Sequence, residues 1–130
     1  MSDLTQAKNL LQIAQRDLRA LNGMLDTDVF ADEVFGFHIQ QAAEKLLKAW
    51  LAALGESYPY THDVALLLKK LEVLEQAIEE YWELTDYNAF AVQMRYDTLG
   101  DDDDAIERAE AIAIIQMLFN QVKTEVFFAE

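Results

Sequence analysis

A single proline, Pro59, and four glycines interrupt this chain of 130 residues, so long stretches run without a helix breaker. Those stretches are rich in Ala, Leu, Glu, Gln and Lys, the residues that cost least to place in a helix. No segment alternates apolar and polar residues as a half-buried strand does. A chain written this way folds as helices, and at this length as one domain over residues 1–130. About two-thirds of its unfolded surface can then be buried, without disulfides.

The periodicity divides the chain into helices. Leu4, Leu11, Leu18 and Leu25 recur every seven residues, with Ala7, Ala14 and Leu21 between them. That spacing predicts a helix over 3–25 with one bundle-facing seam, and Ser2 can cap it. A second helix is expected over 29–54, with Asp28 as a candidate cap, Gly55 as the left-handed residue that closes it and Pro59 soon after. Ile39, Ala42, Ala43, Leu46, Ala49, Trp50 and Ala53 make its apolar side, and His38, Gln40, Gln41, Glu44, Lys45 and Lys48 its polar side. GESYPYTHD reads as a loop in which Thr61 or Asp63 caps a third helix, 63–71. A fourth segment, 73–93, is rich in aromatics and either stands alone or continues the third as one bent helix. RYDTLGDDDD connects it to a fifth helix, 103–127, with Ile112, Ile115, Phe119, Val122 and Val126 as the buried stripe. The expected architecture is all-α, a four- or five-helix up-and-down bundle.

Charge and residue absences restrict the function. With a formal net charge of −14 the surface repels free DNA and anionic membranes over a screening length of about 8 Å. Any RNA or nucleotide must therefore meet a local basic site or a partner. No cysteine is present, which removes thiolate metal sites and cysteine nucleophiles. The start of the chain, MSDLTQAKNL, has neither the basic segment nor the apolar run of a secretory signal, and no apolar run approaches the ~20 residues of a membrane span. A cytoplasmic protein is expected.

Few residues stand out for chemistry. The DDDD run at 101–104 precedes a helix, where carboxylates favour the positive end of the dipole; consecutive loop carboxylates do not converge on one ion. No HExxH or ExxH pattern accompanies His38 or His62, so neither metal nor cofactor is expected. His62 lies in the loop among Tyr58, Tyr60, Thr61 and Asp63 and is the better functional candidate of the two. Glu44 and Lys48 form an i,i+4 pair that spacing alone accounts for on a solvated face. Arg95, in MRYD, is suited to a bidentate grip on a carboxylate or phosphate.

In order, FHIQQAAEKLLKAWLAALG, YPYTHDVALLLKKL and RYD resemble the HEPN domain family (higher eukaryotes and prokaryotes nucleotide-binding), over roughly residues 5 to 125. The first block is similar to the family's second helix. Thr61-His62-Asp63 looks like the opening of its next helix, and Arg95-Tyr96 like its Arg-Tyr motif. The resemblance implies a bundle of about five helices, which agrees with the periodicity. Many family members are metal-independent endoribonucleases with an Arg followed by His after four to six residues, paired across a dimer. Here Arg95 is followed at those positions by Gly100, Asp101 and Asp102. Arg16, Arg19 and Arg108 likewise have no His there.

The resemblance therefore implies the branch that lacks the nuclease pair. Such domains accompany a minimal nucleotidyltransferase in a toxin–antitoxin-type pair, as a nucleotide- or substrate-binding or regulatory partner. A homodimer is expected. By the same carry-over, Arg95, Lys48 and His62 would meet an anion such as a nucleotide phosphate. Glu44 and Asp63 would orient them, and Tyr96 would stack on a base or pack on the dimer mate. The alternatives are a metal-independent endoribonuclease with a non-standard site and a purely structural dimeric bundle.

Overall fold

A computed structural model describes residues 3–90 and 106–130. The described residues form four α-helices, α1 (Leu4–Asn22), α2 (Asp32–Ala53), α3 (Val64–Val73) and α4 (Arg108–Ala129), and one 3₁₀ segment, η1 (Glu79–Tyr87), which follows α3. Strands are absent among the described residues, and the molecule is an all-α bundle. No helix of the described residues is long and apolar enough to cross a membrane.

α2 is the central element: α1 and α4 pack on one another and on α2, while α3 and η1 cover α2 elsewhere. A helix covered by so many neighbours must be apolar almost all round, and that of α2 is. Phe35, Ile39, Leu46, Leu47, Trp50 and Leu51 are all buried. The predicted α4 stripe is buried in full, from Ile112 to Val126. On α1 the seam holds at Ala7, Ala14, Leu18 and Leu21, with Leu4 and Leu11 half-buried. Leu25 leaves the seam and is 52% exposed, because α1 stops at Asn22.

The helix ends differ from expectation in instructive ways. Ser2 lies outside the described residues; Asp3 caps α1, accepting from the Gln6 N–H at 3.1 Å. Asp28 does not cap α2. Its N–H donates to Asp26 Oδ1 in a turn, and α2 begins at Asp32 after Ala31, which offers no side-chain cap. At the other end Gly55 adopts φ 79°, with Glu56 N–H bonded to Leu51 O and Gly55 N–H to Ala52 O. This is the left-handed closure expected there. α4 starts at Arg108, later than expected; residues 103–105 lie outside the described residues.

The third and fourth segments are separate. α3 closes at Leu74 with Glu75 in the left-handed region, φ 65°, and the chain re-enters helical geometry only at η1. Gln76 Oε1 accepts from Trp50 Nε1–H at 3.3 Å, which ties the break to α2. A residue with a Cβ is strained at positive φ, and here it also places a carboxylate at the negative end of a helix. Glu75→Gly is therefore expected to stabilise the protein by about 0.5–1 kcal/mol, read as a higher urea midpoint at unchanged m-value.

Gly36 is the glycine inside α2. A Cβ there would lie 2.7 Å from the Phe90 ring, so this helix turn is open to let Phe90 seat against it. Phe90 in turn stacks on Tyr87 at 5.9 Å.

Candidate functional site

The site is organised by residues 55–63, which double back along α2 after Gly55 and bring His62 beside Gln40 and Glu44 rather than beside Leu54. Several side chains hold this path. Gln40 Nε2–H donates to His62 O at 2.7 Å. Lys70 of α3 donates to Ser57 O, and Gln6 of α1 donates to the Tyr58 hydroxyl at 3.0 Å. At the far end Asp63 caps α3, accepting from Ala65 N–H and Leu66 N–H, and Asn88 donates to the same Asp63 oxygen while accepting from Val64 N–H.

Glu44 is the centre of the arrangement and only 6% exposed. Its Oε1 accepts from His62 Nδ1–H at 2.8 Å and from Gln40 Nε2–H at 3.3 Å; its Oε2 accepts from Lys48 Nζ at 3.0 Å. Burial pushes the Glu44 carboxyl up, but the hydrogen bonds from His62, Lys48 and Gln40 and the Lys48 charge outweigh it, so the carboxyl sits below its usual range. Glu44 is ionised at neutral pH. An ionised acceptor fixes the His62 tautomer, with the proton on Nδ1 of the neutral ring and the lone pair on Nε2. The ring itself is 62% exposed. Lys48 is nearly enclosed and lies over the Tyr58 ring, 5.7 Å from its centroid.

Glu44, Lys48 and His62, three of the residues singled out from sequence, thus form one network. Asp63 is adjacent in sequence but has a different duty: its carboxylate is used on the α3 backbone and Asn88. Arg95 and Tyr96 lie outside the described residues, as does the DDDD run. Among the described residues no group of three or more His, Asp or Glu side chains could hold a metal ion. His38 Nδ1–H donates to Val34 O at 2.9 Å within its own helix.

Two sequence readings require correction. The polar side of α2 is not a solvated face at Gln40 and Glu44, both of which are buried. The Glu44–Lys48 pair is accordingly an enclosed ion pair, not a surface one. Leu47 and Leu51 carried the missed signal. They follow Glu44 by three and seven residues, so they share its row on the helix, and both are fully buried.

A family model for the HEPN domain matches residues 7–124. The chain belongs to the HEPN family. Membership supports a nucleotide-binding, RNase-type or regulatory helical protein, and the bundle seen here is consistent with the HEPN fold. No curated protein and no solved structure matches this chain. Within this HEPN domain the Glu44–His62 contact joins α2 to the loop before α3, which are the first two blocks that carry the resemblance. The exposed His62 ring on a buried carboxylate can exchange a hydrogen bond or a proton with a bound group.

Proposed function

We propose that this chain is a non-catalytic HEPN protein that binds a nucleotide or substrate for, or regulates, a minimal nucleotidyltransferase in a toxin–antitoxin-type pair, working as a homodimer in the cytoplasm. The observation that carries this reading is how the charges of the site are used. Lys48 and His62 Nδ1 are both committed to Glu44, which leaves no free cation among the described residues of the network to steady the charge that builds on a phosphate during cleavage, while the exposed His62 ring still offers Nε2 to a bound group. Together with the missing Arg-to-His spacing, this favours binding or regulation over RNA cleavage.

The transferase half of the reading is tested by co-purification with the product of the adjacent reading frame. A stable complex with a nucleotidyltransferase is expected, and a neighbour of another kind would overturn that half. The non-catalytic half is tested by incubating RNA with the purified protein in EDTA. No cleavage is expected from the wild type.

One observation favours the second reading, a metal-independent endoribonuclease. His62 is exposed and oriented by a buried carboxylate, as a general base would be. Cleavage in EDTA that His62→Ala and Arg95→Ala both abolish would establish it.

A further inference from the structure

Lys8, Gln12, Gln15 and Arg19 follow one another at steps of four, three and four residues, which places them in one straight, exposed stripe along α1. α4 runs antiparallel beside it. Lys8 Nζ pairs with Glu130 at one end at 2.7 Å, and Arg108 reaches Met24 O at the other. Between the two helices lies a groove of about 200 Å³ with Leu11 and Phe119 on its floor and Lys123 on the α4 rim. Phe127, one helical turn beyond Lys123 on α4, is 67% exposed.

The charge of this face is opposite to that of the molecule. The net charge is −14, yet the sole acid within α1 is Asp17, and Lys45 of α2 takes its carboxylate at 2.8 Å. Arg19 and Lys123 have no ion-pair partner among the described residues. An acidic ligand can therefore approach here. Lys8 to Arg19 spans about 16 Å at 1.5 Å per residue, so the compatible ligand is short. A nucleic-acid strand would extend past the stripe into the repulsive field of the rest of the surface, and the groove presents an apolar floor that phosphates do not need. A helix of about three turns fits both its length and its mixed character.

We propose that the α1–α4 groove docks an acidic amphipathic helix of a partner protein, with carboxylates on Lys123 and Arg19 and apolar side chains on Leu11, Phe119 and Phe127. The groove shares no residue with the Glu44 network, so this proposal stands independently of the function read there.

The test is fluorescence anisotropy with labelled synthetic peptides of about 14 residues: acidic amphipathic, basic amphipathic, and an acidic peptide with scrambled periodicity. The wild type is expected to bind the acidic amphipathic peptide, more weakly as salt rises. An Arg19→Glu/Lys123→Glu double variant should lose at least about tenfold in affinity, and Lys69→Glu on α3 should lose none. Phe127→Ala should weaken binding without changing its salt dependence. All four substituted positions are exposed, and circular dichroism checks that each variant is folded. The proposal is overturned if the wild type binds no peptide, if the scrambled peptide binds equally well, or if Lys69→Glu is as damaging. Displacement of the peptide by poly(U) would reassign the groove to RNA. A dimer that the double variant dissolves in sedimentation would reassign it to a second copy of this chain.

Discussion

Arg108→Ala is expected to lower stability by about 3–5 kcal/mol, enough to leave a domain of this size marginal at room temperature. Arg108 is 5% exposed at the first position of α4. Its guanidinium donates to Met24 O at 2.6 Å, to Phe30 O at 2.7 Å and to Asp32 Oδ1 at 2.8 Å, and it lies 4.9 Å from the Phe35 ring centroid. One side chain thus closes the turn between α1 and α2 and fastens α4 to it. Truncation leaves two carbonyls without a donor, one carboxylate without a partner, and a void over Phe35. Arg108→Lys keeps the charge but cannot reach all three acceptors, so it should recover only part of the loss. Asp32 is 45% exposed, and Asp32→Asn should cost less than about 1 kcal/mol. Urea unfolding at constant m-value reads all three. A loss under about 1 kcal/mol for the alanine variant would mean that the turn holds without this anchor.

The role of Arg108 also marks where the sequence stops being legible. Helix identity was readable because the signal is local: Leu18 and Leu21 on α1, and Ile115 and Val122 on α4, are buried as their spacing predicts. Arg108 was not readable, because its acceptors lie 76 to 84 residues away, and a lone arginine near a helix start announces none of them. The start of α2 moved from 29 to Asp32 for a related reason. Residues 26–30 form a turn, and Phe30 O is given to Arg108 rather than to a helix. The candidate site was half legible. His62 stands out by its place in a loop among Tyr58, Tyr60, Thr61 and Asp63, whereas Glu44 and Lys48 enter only through the family resemblance, since i,i+4 spacing alone puts them on a wet surface. Gln40 falls on the polar side of the helix by periodicity, yet it is fully buried and bonds the loop backbone. Burial of that row depends on the path of residues 55–63, which no periodicity encodes.

The second large effect is expected at Glu44. Glu44→Ala should cost about 3 kcal/mol at neutral pH, because it leaves the Lys48 ammonium, 12% exposed, without a counter-charge and strips Gln40 and His62 of their shared acceptor. The contribution of the carboxylate has a pH signature. Its native value lies below the usual 4.5, so the unfolded chain takes up the proton first as pH falls. The stabilisation is complete above the usual carboxylate range and is lost as pH drops through the native value. Glutamine at this position cannot titrate. The gap in unfolding free energy between wild type and Glu44→Gln should therefore be widest near neutrality and shrink as pH falls through the carboxylate's lowered native value; a gap independent of pH would show that the carboxylate's charge is not what holds the loop. His62→Ala separates folding from function. Its ring is largely exposed and its removal leaves the Glu44–Lys48 pair intact, so the stability cost should stay below about 1 kcal/mol. A ligand or partner interaction lost in His62→Ala, in a protein that unfolds almost as late as the wild type, would then be a property of the imidazole itself. The same loss in Glu44→Ala would carry no such meaning, since there the loop that presents the imidazole is released as well.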